Sequence, residues 1–211
     1  RPLLTRPESF QDVPSFIAEI LARRGVESQQ ELELKLKYLL APSMKGLPEA
    51  IQLIDAAIDA GQKIVIVGDY DADGATSTAL MLLALRDMGA DVDYLVPDRF
   101  KYGYGLTPAI ADLAFASFTP DLLITVDNGI SSHDGVKQAQ DHGMQVIITD
   151  HHLTTKPTPA AEAVVNPNQL GCEFPSKALA GVGVAFYVLA NLSTHRKKLG
   201  KSSTVITNYL D

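Results

Sequence analysis

A doubly wound α/β fold with a mainly parallel sheet and an N-terminal helical extension is predicted by three features of this sequence. Apolar runs of strand length, KIVIV, DYLVP, LLITV and VIIT, recur from residue 63 onward. Helical patterns of about a dozen residues separate them, the spacing of right-handed βαβ crossovers that cover a parallel sheet on both faces. Polar motifs, GDYDADG, VDNGISS and TDHH, begin where apolar strands end. With 211 residues and 46% hydrophobic content, the chain can bury the core of one domain plus a modest extension.

The elements follow in order. Residues 1–45 form the extension, with helical patterns over 13–24, closed by Gly25, and over 28–40, opened by a Ser28/Glu31 capping box. Residues 46–211 form the α/β domain. Its first helix spans 48–60 and stops at Gly61; KIVIV is a strand, GDYDADG an acidic loop, and 75–88 a helix stopped by Gly89. DYLVP is the next strand, and Thr107-Pro108 caps the helix that follows. LLITV is a strand, Ser131-Ser132 opens a helix, VIIT is a strand, and TDHH ends it. The Pro-containing LTTKPTPAAE is a surface loop. GVGVAF lacks the third glycine and the preceding strand of a dinucleotide fingerprint, so it reads as a helix packed closely on a neighbour.

Composition excludes several classes. The single cysteine, Cys172, permits neither an internal disulfide nor a cysteine-cluster zinc site, which fits a reducing, cytoplasmic setting. No apolar run is long enough for a membrane span, so no membrane partner is expected. The start, RPLLTRPESF, has neither an initiator Met nor a hydrophobic signal core and reads as trimmed. A net charge of −7 argues against a basic nucleic-acid-wrapping surface, although clustered metal-binding carboxylates also make a chain acidic.

In open parallel sheets, ligands bind outside the carboxyl ends of the strands. Asp69, Asp71, Asp73, Asp127, Asp150, His151 and His152 all fall at such ends and can share one cleft. Carboxylates gathered this way repel one another unless cations neutralise them, and mixed Asp and His ligands suit Mn²⁺ or Mg²⁺ better than structural zinc. A bridging carboxylate between two such ions makes a site for phosphoryl chemistry. An EF-hand calcium loop beginning at Asp69 fails, because its twelfth position is Leu80 and a strand precedes it. His133, His142 and His195 lie in helical, polar surroundings and read as surface residues.

DYDADG, PDRFKYGYGL, VDNGISS, TDHHL, VVNPNQ and LAGVGVAF, in this order, resemble the RecJ-type branch of the DHH phosphoesterases from about Gly25 to Leu192. The resemblance implies that Asp71, Asp73, Asp127 and His151 hold two Mn²⁺ or Mg²⁺ ions, with Asp127 bridging, and that Asp69 and Asp150 are supporting or alternate ligands. His152 resembles the family histidine that contacts the scissile phosphate, and Asp150 stands with it in the catalytic group. The implied reaction is metal-dependent hydrolysis of single-stranded DNA from the 5′ end, releasing 5′-mononucleotides, in DNA repair and recombination. Arg99 suits a phosphate, and Phe100, Tyr102 and Tyr104 offer faces for base stacking. Single-stranded DNA is the expected partner, with a single-strand-binding protein and a helicase as further candidates. The family also supplies another ligand Asp and a DHHA1 domain, expected beyond Asp211, so the chain reads as a fragment of weak or no activity. A DHH enzyme acting on small phosphodiesters or pyrophosphate, and an inactive replication scaffold, are the alternatives.

Overall fold

The computed structural model describes residues 10, 13–33 and 35–210. The chain divides into two units, Arg1–Ala41 and Pro42–Asp211. Met44 and Gly46 belong to the second: Met44 is buried in its core, and a Cβ on Gly46 would lie 2.1 Å from the Val164 carbonyl oxygen. In the first unit, α1 (Ser15–Arg23) forms as its periodicity predicts and closes at Gly25, whose φ is 83°. Residues 28–40 depart from expectation. The capping box does form, with Ser28 N and Oγ donating to Glu31 Oε1 at 2.9 and 3.0 Å. Yet among the described residues two 3₁₀ turns follow, Gln29–Leu32 and Leu36–Tyr38, and no α-helix. The reason lies in the pattern: Leu32, Leu34 and Leu36 alternate with Glu33, Lys35 and Lys37, a period of two that gives a helix no apolar stripe.

The second unit runs α2 (Leu47–Asp59), β1 (Lys63–Val67), α3 (Ala72–Asp87), β2 (Asp91–Leu95), α4 (Arg99–Tyr102), α5 (Pro108–Phe118), β3 (Leu122–Val126), α6 (His133–Asp141), β4 (Gln145–Thr149), β5 (Ala163–Val165) and α7 (Gly181–Lys198). All five strands are parallel, in the order β2-β1-β3-β4-β5. Helices cover both faces, as the apolar strands require. Ile64, Ile66, Leu122, Ile124, Ile147 and Val165 pack with α2, α3 and α7, whereas Val65, Val67, Leu123, Val146 and Ile148 pack with α5 and α6. The fold is therefore the doubly wound α/β architecture read from the sequence. Elsewhere α3 starts three residues earlier than its apolar pattern, inside the acidic motif; β2 runs Asp91–Leu95, so Val96 and Pro97 of DYLVP lie outside it; and β5 is a strand of three residues, too short to leave a periodic signal.

His142 and His195 lie at the surface, as read from the sequence, but each also meets a carboxylate. His142 stacks on Phe115, 4.4 Å between ring centroids, and its Nε2 lies 2.7 Å from Asp112, so it joins α6 to α5. His195 Nε2 lies 3.5 Å from Asp55. Asp55 also receives Arg196 Nη1 at 2.5 Å and Lys201 Nζ at 2.6 Å, a buried ionic cluster that fixes the far end of α7 to α2. This anchoring matters for the site, because the other end of α7 forms one of its walls.

Candidate active site

The sheet reverses its winding between β1 and β3: the chain leaves β1 for β2 on one side, then crosses back to β3 on the other. A crevice opens at such a switch point. The residues after β1 and β3 line it, and those after β4 close it.

Beyond β3 the backbone turns sharply. Asp127 has φ 60°, a left-handed conformation that Asp tolerates better than most residues. The turn is held from beneath, since Thr125 Oγ1 donates to the Asn128 carbonyl and Asn128 Nδ2 donates to the carbonyls of Val67 and Val126. Asn128, which sequence reasoning missed, thus ties the ends of β1 and β3 together. Asp127 itself is 2% exposed, and its Oδ1 has no hydrogen-bond partner. His151 Nε2 lies 3.1 Å from that oxygen without hydrogen-bond geometry, and 3.5 Å from Asp73 Oδ2. Two such atoms side by side, not bonded to each other, are arranged as ligands facing a common point. Ligand atoms of Asp127, His151 and His152 all fall within 4.8 Å of one another. Burial, and then the charges of Asp73 and Asp71, push the Asp127 carboxyl up to about 7. A buried carboxylate oxygen without a hydrogen bond, beside an imidazole nitrogen and further carboxylates, is a donor set that fits a hard divalent metal.

Asp150 is 1% exposed and differently used. Its Oδ2 accepts from Ile130 N at 2.9 Å, while Oδ1 accepts from the amides of His151 and His152 and from His152 Nδ1 at 2.7 Å. Burial pushes its carboxyl up, but the hydrogen bonds from His152 and Ile130 outweigh burial and hold it below the ordinary carboxylate range. His152 is shifted upward in turn, chiefly by its bond to Asp150. Asp150 therefore orients His152 and does not face the Asp127–His151 pair. The carbonyls of His151 and His152 accept from Asn168 Nδ2 at 2.5 Å and Asn166 Nδ2 at 3.1 Å. These two asparagines sit in VVNPNQ, where the sequence assigned no role.

The remaining candidates separate. Asp71 caps α3 through Gly74 N at 2.9 Å. Asp73 accepts from Gly181 N and Val182 N, both at 2.7 Å, and so caps α7 from across the site. Asp69 turns away from the histidines: both its oxygens lie 2.6 Å from Arg99 Nη2. Arg99 stacks over Tyr70 at 4.1 Å and Tyr104 at 5.4 Å, and its Nε is buried without a partner. Tyr104 directs its hydroxyl to His152 Nε2, at 3.2 Å, instead of presenting a bare ring. Burial and the carboxylates around it push that hydroxyl well above the ordinary phenol range. Tyr102 is half-buried against the core beside α5. Phe100 is 92% exposed, the form a stacking face requires. Gly181 was read as a packing glycine, and a Cβ there would lie 2.5 Å from Asp127 Oδ1, so the packing is against the site itself.

The family description "DHH family, N-terminal domain" matches residues 63–211. The chain belongs to the DHH family. The chain is 50% identical, over 191 residues, to the single-stranded-DNA-specific exonuclease RecJ of Escherichia coli K12, covering 90% of this chain and 33% of that protein. The crystal structure of exonuclease RecJ bound to manganese superposes with a TM-score of 0.67 at 37% identity, over 77% of this chain and 40% of that one. RecJ from Thermus thermophilus in complex with Mn²⁺ gives 0.68 at 34% identity, over 87% and 25%. The chain thus spans about a third of the length of the curated relatives it matches. Among the described residues, no helix is long and apolar enough to cross a membrane.

Proposed function

We propose that this DHH segment carries the metal-dependent phosphodiesterase site of an exonuclease that removes 5′-mononucleotides from the 5′ end of single-stranded DNA. The observation that carries the reading is the unpartnered, buried Asp127 Oδ1 facing His151 Nε2 at 3.1 Å. Similarity to single-stranded-DNA-specific exonucleases from several bacteria supports the substrate class. Asp73, Asp127 and His151, with Asp71 at the mouth, are the proposed holders of Mn²⁺ or Mg²⁺. Such ions, when bound, lower the pKa of water and offset negative charge on a phosphoryl group.

The chain's own groups do the rest. His152 Nε2 donates to a phosphate oxygen, and Asp150 fixes the ring through Nδ1. Asp69 steers Arg99 toward the strand's backbone, and Phe100 supplies an exposed ring for a base. DNA repair and recombination as the setting, a cytoplasmic location, and a single-strand-binding protein and a helicase as partners, belong to the same proposal and rest on the RecJ likeness alone.

The test uses the full chain, Mn²⁺ and 5′-labelled single strands, matched duplexes and dinucleotides. Single strands should release labelled mononucleotide from the first turnover, with duplexes and dinucleotides much slower. Asp127→Asn, which keeps the left-handed turn but removes the charge, should lose both Mn²⁺ binding by calorimetry and label release. Preferential turnover of dinucleotides, or an Asn variant with wild-type Mn²⁺ affinity, would overturn the reading.

A further inference from the structure

The GYG in PDRFKYGYGL is built to aim one side chain. Gly103 at φ 82° and Gly105 at φ 74° turn the backbone on either side of Tyr104, conformations that glycine adopts freely and other residues do not. The turn is pinned by Leu106 N donating to Ser132 Oγ at 3.0 Å, and a Cβ on Gly105 would lie 3.0 Å from that same oxygen. Tyr104 thereby reaches over the site, with its ring beneath the Arg99 guanidinium and its hydroxyl 3.2 Å from His152 Nε2. Arg99 is itself held by Asp69 and stacked on Tyr70, so a continuous run of contacts leads from the end of β1 to His152.

His152 needs a second tether. Its Nδ1 is fixed to Asp150, which is 1% exposed, but the side chain of His152 is 45% exposed and the imidazole can still pivot about that one bond. Nε2 is the ring atom left to meet a substrate, and the Tyr104 hydroxyl is what holds it. The Tyr104 and His152 rings meet edge to face, 5.9 Å between centroids at 79°, which restricts the pivot further. The hydroxyl also lies 3.5 Å from the Asp127 carbonyl, so one group spans the residues after β3 and β4.

We propose that Tyr104 is the positioning residue for His152: its hydroxyl holds the ring through Nε2 and so sets the angle at which that nitrogen, on exchanging this bond for one to substrate, meets a phosphate oxygen of the strand. The proposal rests on the nuclease reading for the identity of that phosphate. It differs from a base-stacking role, in which the ring matters and the hydroxyl does not.

Three variants of the full chain separate the two. Tyr104→Phe keeps the ring, and loss of one hydrogen bond to the histidine should lower kcat about tenfold while KM stays within about twofold. In a His152→Ala background the same change should lower kcat no further, because the two residues act through one contact. Tyr104→Ala should behave as Tyr104→Phe does in kcat. A structural readout needs no turnover: in metal-free protein with ¹⁵N-labelled histidine rings, Tyr104→Phe should move the Nε2 resonance of His152 and leave the other four histidines in place. Wild-type kcat in Tyr104→Phe, equal losses in both backgrounds, a raised KM confined to Tyr104→Ala, or an unmoved His152 resonance would each overturn the assignment. Failure of the nuclease reading looks different: wild-type protein leaves single strands intact, and the ring resonances still decide the Tyr104 contact.

Discussion

Asp127 combines two unfavourable conditions, a left-handed backbone and a buried carboxyl without a hydrogen bond to Oδ1. Residues persist in such states where function requires them, and the pH dependence exposes the cost. An unfolded Asp titrates near ~3.9, whereas burial and the neighbouring Asp73 and Asp71 push Asp127 up to about 7 in the fold. The folded protein therefore binds this proton more tightly than the unfolded chain. Its contribution to stability is fully present below about pH 4 and is lost as pH rises toward 7, by at most roughly 4 kcal/mol. Asp127→Asn removes that loss. Thermal melts of metal-free protein should show the Asn variant matching wild type near pH 4 and gaining on it steadily up to pH 7; a gain independent of pH would refute the buried-charge account. Cation binding should expel the same proton. Calorimetry at pH 6 in two buffers of different ionisation enthalpy should record close to one proton released per site, falling toward none well above pH 7.

At the scale of elements, the site is assembled from helix starts. Asp71 caps α3 locally, which the order of residues alone can suggest. Asp73 caps α7, more than a hundred residues away, and nothing in either segment announces the pairing. Asp73→Ala should cost roughly 1–2 kcal/mol, in the range of a lost helix cap, and hydrogen exchange should quicken selectively at the first turn of α7. Uniform loss of protection across the sheet would argue against a capping role. Gly181→Ala, by contrast, places a Cβ 2.5 Å from Asp127 Oδ1. It should abolish Mn²⁺ binding while shifting the melting temperature little, since α7 remains anchored by Arg196 on Asp55. Apolar runs located four of the strands, β1 and β3 among them buried on both faces, and the helical spacing between them located the crossover helices. Such patterns failed at β5, which is three residues long, and over 28–40, where a capping box outvoted a period of two.

For the whole molecule, 18 basic residues against 25 acidic ones leave a net charge of −7, and the crevice concentrates the negative part. A polyanionic strand should therefore be held by the cations of the site and a few side chains. Each phosphate neutralised by Lys or Arg contributes about −0.7 to the slope of log K against log salt for single strands. We expect this 211-residue chain, loaded with Mg²⁺, to show a slope shallower than about −3 on a single-stranded oligonucleotide. A steep slope would mean that the chain itself presents a basic track, contrary to its charge balance.

By itself the sequence determined the α/β class, the polar strand ends and the family, because apolar runs with intervening helices admit few topologies and linked motifs leave little room for chance. It also put Asp127, His151 and His152 at strand ends that converge. What only the tertiary structure decided is the division of labour among the carboxylates. Asp69 turns to Arg99, Asp150 to His152 and Asp73 to the start of α7, while Asp127 alone of these keeps a buried oxygen unpaired. Identical side chains at equivalent positions carry no mark of which partner each will meet. That choice is made by contacts between residues far apart in the chain, after the sheet has brought the strand ends together.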